Sequence, residues 1–119
     1  MTPSPQNLER RPHILIVDDE HDNRELLEIV LRHRGYFVTC APGGLEALAS
    51  IRDSAPDLVL LDLMMPLMDG YEVTAEIKGN LATQHIIVIL FSALHGDGIA
   101  LVKIRSTLQW GDSIKPGPR

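Results

Sequence analysis

Asp18, Asp19 and Glu20 directly follow a short apolar run at residues 14–17, and Asp62 directly follows a second at 58–61. Ser92 directly follows a third, at 86–91. If these runs are neighbouring strands, their carboxylates and hydroxyl meet along one edge. Two carboxylates about 4 Å apart repel by about 1 kcal/mol in water and about 4 kcal/mol at an effective dielectric of about 20. Such a group needs protons or a cation, and oxygen donors without His or Cys favour Mg2+ over zinc or copper. Asp18 and Asp19 have a second reading, as acidic residues at a helix start. Asp62 is harder to place that way. It ends an apolar stretch, where a carboxylate costs several kcal/mol unless paired or solvated. Asp69 needs no chemistry, because it suits the N-cap of a helix.

The elements that must position these groups follow from periodicity. The three runs are continuous rather than alternating, which suits strands buried on both faces of a parallel sheet. Residues 22–34 have helical spacing, with Leu26, Leu27, Val30 and Leu31 on one face. Asp22 and Glu25 read as a capping box, and Gly35 as a left-handed C-terminal cap after Arg32, His33 and Arg34. Residues 36–40 form a second strand. Leu45, Leu48 and Ile51 mark a second helix, and Gly43-Gly44 before it is a turn rather than a phosphate loop. Val73 and Ile77 mark a third helix over 71–78, stopped by Gly79. A fourth, over 99–108, turns Leu101, Ile104 and Leu108 inward, and a fifth strand lies near Ile114. This alternation predicts a doubly wound α/β layer structure, whose ligands sit beyond the carboxyl ends of the strands.

Composition narrows the class. The chain of 119 residues is one small domain, and 45% hydrophobic with 23% charged residues excludes a disordered chain. A net charge of −5 argues against gripping nucleic acid through a basic face. The single cysteine, Cys40, excludes an internal disulfide and fits a reducing, cytoplasmic compartment. Apolar runs of about six residues fall short of the roughly twenty that span a bilayer. Residues 1–12, with Pro3, Pro5 and Pro12, read as a flexible leader, 13–116 as the domain and 117–119 as a short tail.

Four motifs together carry a resemblance. Ile-Val-Asp-Asp-Glu at 16–20, Leu-Asp-Leu-Met-Met-Pro-Leu-Met-Asp-Gly-Tyr-Glu-Val at 61–73, Ser92-Ala93 and Lys115-Pro116 resemble the receiver domain of bacterial response regulators, with single-domain chemotaxis-type regulators among the similar proteins. The resemblance implies a flavodoxin-like parallel five-stranded sheet in the order 2-1-3-4-5. It implies that Asp62 is a phosphoacceptor, attacking the phosphorus of a phosphohistidine on a sensor histidine kinase or phosphotransfer protein. Asp19 then matches the direct Mg2+ ligand and Asp18 the residue holding the ion through water. Asp62 and the backbone carbonyl of Met64 complete the metal's protein ligands. Ser92 matches the switch hydroxyl and Lys115 the lysine that pairs with the phosphoryl group. Phosphoryl transfer is mostly positioning and charge neutralisation, so these groups suffice. A phosphoryl group adds about −1.5 to −2 charges. Drawing Ser92 inward would bias a surface read by a downstream protein partner. On this reading the chain assists its own phosphorylation and is not an enzyme with turnover.

The tail departs from the family pattern. Three residues before Lys115, where the family has an aromatic, stands Asp112, and Gly111 with Asp112 makes a poor strand. Trp110 takes over the aromatic role or covers core, and the alternative for Lys115 is a solvated tail lysine. The family carries a fifth helix after this point. Its absence would expose about 300–400 Å² of apolar surface, at most roughly 8–10 kcal/mol. The expectation is a homodimer or other partner on that face, a fragment of a longer regulator, or a weakly stable receiver.

Met64 and Leu94 occupy positions that tune phosphate loss in the family. Neither orients an attacking water, which implies slow loss; the alternative is that both simply pack. His13, His21, His33, His85 and His95 lack metal spacing and read as surface residues, with His21 nearest the acidic run. Two other functions stay open: a pseudo-receiver that docks without phosphate, and an Mg2+ phosphohydrolase. The second normally needs another Asp where Met64 stands.

Overall fold

A computed structural model describes residues 10–92 and, by backbone alone, Arg105–Ser106. Four parallel strands, β1 (His13–Val17), β2 (Phe37–Ala41), β3 (Leu58–Asp62) and β4 (Ile87–Phe91), lie in the order β2-β1-β3-β4. Helices α1 (His21–His33), α2 (Gly44–Asp53) and α3 (Gly70–Lys78) connect them. This is the doubly wound, flavodoxin-like architecture that alternating elements predict.

Every residue of β1 is buried, as a central strand covered on both faces requires. On one face Leu15, Val17, Val59, Leu61, Val88 and Leu90 pack with Ala47 and Ile51 of α2 and Val73 and Ile77 of α3. On the other, Ile14, Ile16 and Val38 pack with Leu27 and Leu31 of α1.

Several local expectations change. On α1, Leu27 and Leu31 face the sheet while Leu26 and Val30 are exposed, so the apolar row is narrower than the spacing suggests. The Asp22/Glu25 capping box is absent, because α1 begins at His21 with Glu20 as N-cap and Asp22 lies inside the first turn. On α2, Leu45 is exposed and Gly44 takes the inner position. A Cβ on Gly44 would meet Val73 Cγ2 at 2.8 Å and Met68 Sδ at 2.9 Å, so this close approach admits no side chain. His13 is buried rather than on the surface. Its Nε2 is 2.8 Å from Thr39 Oγ1 and its ring leans on Phe37. Burial lowers its pKa, against an opposing pull from Asp57.

Two caps stand as expected. Gly35, at φ 95°, ends α1: its N–H bonds to Arg32 O and that of Tyr36 to Leu31 O, the Schellman pattern. Asp69 caps α3 in a reciprocal box with Glu72, both bonds 2.9 Å long.

The fifth strand differs in kind. Arg105–Ser106 (β5) runs antiparallel to β4, pairing Ile89 with Ser106 and Leu90 with Arg105. These two residues are therefore extended, not helical as a helix over 99–108 would have them. The open edge of β4 offers backbone groups that an extended segment satisfies. The rest of 99–108, the strand near Ile114, Leu94, His95, Trp110, Lys115 and residues 1–9 lie outside the described residues. Among the described residues, no helix is long and apolar enough to cross a membrane.

Candidate functional site

The strand order fixes where a site belongs. The chain steps from β1 to β2 on one side and then to β3 on the other. The carboxyl ends of β1 and β3 therefore border the switch point of the sheet, where open α/β sheets bind ligands. Val17 pairs with Leu61, so Asp18 and Asp62 leave adjacent strands at one level.

Carboxylate oxygens of Asp18, Asp19 and Asp62 lie within 4.8 Å of one another. Asp18 and Asp62 are buried and Asp19 is exposed. Glu20, the fourth acid of the sequence pattern, is not part of this group; it serves as the N-cap of α1.

Each polar atom of Asp18 is engaged. Its N–H donates to Ala41 O at 3.2 Å. Its Oδ1 accepts from Glu20 N at 2.9 Å and its Oδ2 from Asn23 Nδ2 at 3.3 Å. Its carbonyl accepts from Arg24 Nη1 at 2.7 Å. Neither Asn23 nor Arg24 stands out in the sequence; the only signal is their place on the first helix after the Asp pair.

Asp62 Oδ1 accepts from Met64 N at 3.1 Å. Burial, foremost, raises the Asp62 carboxyl from 3.8 to about 7. The Met64 N–H opposes that rise, while the neighbouring Asp18 and Asp19 carboxylates add to it. Asp62 is thus held short of full ionisation near neutrality without a cation.

The loop after Asp62 folds back against the strand. Leu63 N donates to Phe91 O at 2.8 Å and Gly70 N to Leu63 O at 3.1 Å. A Cβ on Gly70 would stand 2.7 Å from Asp62 O, so glycine is what lets α3 start there. Leu67, at φ 70° and 98% exposed, is the only non-glycine described residue in the left-handed region. The Met64 side chain is largely exposed, so it does not simply pack.

Asp62 pairs with Phe91, so half-buried Ser92 follows one residue beyond that register. His21 belongs to a different, fully exposed group with Asp22 and Glu25, and its Nδ1 is 3.6 Å from Asp22 Oδ1. The donor set of Asp18, Asp19 and Asp62 is all oxygen, acidic and two-thirds buried. It fits a hard divalent cation, whose charge would offset both the burial and the carboxylate repulsion that raise Asp62.

Comparisons with known proteins agree with this geometry. The family model for the response regulator receiver domain matches residues 14–106. Over 85 residues the chain is 46% identical to the response regulator PleD of Caulobacter vibrioides, covering 71% of this chain and 19% of PleD. The chain thus spans about a fifth of that relative. A crystal structure of the N-terminal domain of a response regulator receiver protein from Methanoculleus marisnigri is similar with a TM-score of 0.68 at 38% identity, covering 70% of this chain and 68% of that one. The response regulator TrrA of Thermotoga maritima, crystallised with Mg2+ and BeF, matches with a TM-score of 0.65 at 39% identity, covering 71% of each chain. The chain belongs to the family of response regulator receiver domains of two-component signalling.

Proposed function

We propose that this receiver domain accepts a phosphoryl group on Asp62 from a phosphohistidine of a sensor histidine kinase or phosphotransfer protein, and passes the signal to a downstream protein partner in the cytoplasm. The observation that carries this reading is the convergence of the Asp18, Asp19 and Asp62 carboxylates at the switch point of the sheet. The binding of Mg2+ by TrrA supports the same assignment here.

In this reading Asp19, Asp62 and the Met64 carbonyl would hold Mg2+ directly, and Asp18 would hold it through water. Bound there, it would neutralise the acidic pocket and the phosphoryl oxygens. The chain's own residues do the rest. The Met64 N–H fixes the plane of the Asp62 carboxylate and leaves the other oxygen to attack. That oxygen bonds to phosphorus as the P–N bond of the donor breaks, and the electron pair of that bond leaves with the imidazole nitrogen. Ser92, one residue beyond the Asp62–Phe91 pair, donates its hydroxyl to a phosphoryl oxygen, and Lys115 pairs with another. The Met64 side chain has no group that orients water, so the phosphoryl group is lost slowly.

Intact mass after acetyl phosphate and Mg2+ tests the proposal. The parent gains one phosphoryl group, and Asp62→Asn and the parent in EDTA gain none. Equal uptake by Asp62→Asn would sink it. A second reading, that this receiver is one part of a longer regulator, is favoured by the small share of PleD that the match covers. Sequencing the gene on both sides of the segment that encodes these residues tests it: an open frame running into a further domain supports this reading, and a stop codon directly after Arg119 with no coding sequence before Met1 contradicts it.

A further inference from the structure

We infer that Asn23 and Arg24 are positioning residues that hold Asp18 in the orientation a divalent cation requires, an inference that rests on the metal site proposed above. The two are consecutive on α1 and grip Asp18 at different points. Asn23 Nδ2 donates to the carboxylate Oδ2 at 3.3 Å, and Arg24 Nη1 donates to the main-chain carbonyl at 2.7 Å. With Glu20 N on Oδ1 and the Asp18 N–H on Ala41 O, neither the backbone nor the carboxylate of Asp18 is left to turn.

The placement follows from how α1 meets the sheet. Its inward row runs from half-buried Asn23 and Arg24 to Leu27 and Leu31. The row is apolar over the sheet and turns polar where the helix passes the end of β1. Arg24 places its bond on the carbonyl, not on a carboxylate oxygen, so it anchors the strand end without taking a position a cation would use. The Asn23 amide is neutral and fixes the carboxylate plane without cancelling its charge. Partners of this kind align a ligand before the metal arrives, and losing one typically weakens metal binding by about 10- to 100-fold.

Calorimetric titration of MgCl2 into the parent, Asn23→Leu, Arg24→Met and Arg24→Lys tests this, with melting temperatures in EDTA alongside. Leucine has the shape of asparagine and favours helix more. A merely structural role for Asn23 would therefore leave Mg2+ affinity unchanged. The inference predicts about tenfold weaker binding by Asn23→Leu, with a melting temperature in EDTA unchanged or raised. Arg24→Met also binds more weakly, and Arg24→Lys, which keeps one N–H for the carbonyl, recovers part of the loss. Affinity of Asn23→Leu within about twofold of a parent that binds Mg2+ overturns the inference but leaves the metal site standing. A parent that takes up no Mg2+ overturns the metal site, and the inference with it.

Discussion

Asp18 and Asp62 stand one residue beyond the Val17–Leu61 pair of two parallel strands, so their carboxylates emerge side by side and both are buried. Burial first, and the neighbouring carboxylates second, raise Asp62 to about 7 and make the pocket sensitive to pH.

The sign of that sensitivity follows from linkage. The folded pKa of Asp62 lies above its ordinary 3.8, so folding disfavours the ionised form. The contribution to stability is full below about 4 and is lost as pH rises through about 7. In EDTA, urea unfolding should show the parent losing about 1–2 kcal/mol relative to Asp62→Asn between pH 4 and pH 8, a value discounted for water at the pocket mouth. A constant difference between the two proteins across that range would contradict the assignment.

Mg2+ should reverse the loss. At pH 8, a free concentration about a hundred times Kd should stabilise the parent by about 2.7 kcal/mol, and EDTA should abolish the gain. Asp62→Asn and Asp18→Asn should show a smaller rise in melting temperature. An equal rise in all three would place the ion elsewhere.

Gly70 has no room for a side chain against Asp62 O and Leu63 Cα. Gly70→Ala should cost about 1–3 kcal/mol of stability, because the two nearest atoms it meets are backbone. Urea unfolding measures this, and a neutral result would mean that the loop yields.

Sequence and structure agree where burial alone decides. Strands β1, β3 and β4 were legible because each is a continuous apolar run, β2 less so because Thr39 and exposed Phe37 interrupt its pattern at the sheet edge, and Asp62 because nothing else explains a carboxylate at the end of such a run. The helix faces were less legible. Gly44 carries no hydrophobic signal, yet it takes the inner position from Leu45 because Val73 and Met68 press on it. Asn23 and Arg24 were invisible as site residues, since their bonds to Asp18 depend on how α1 docks on the sheet. Arg105–Ser106 pairs with β4 through backbone groups, which leave no side-chain pattern to read.

Leu67 offers a test of backbone strain. Its left-handed conformation disfavours leucine, and its side chain is almost fully exposed. Asparagine tolerates that conformation, so Leu67→Asn should stabilise the chain by about 0.5–1 kcal/mol in urea unfolding. A loss of stability would show that the leucine makes contacts outweighing the strain.

The central claim is that the phosphoryl group resides on Asp62 and nowhere else. Borohydride reduction of the chain after treatment with acetyl phosphate and Mg2+, followed by peptide mass mapping, tests it most directly. Homoserine at position 62 alone is the predicted result. Homoserine at position 18 or 19, or a phosphoryl group that survives on a serine or histidine, would contradict it.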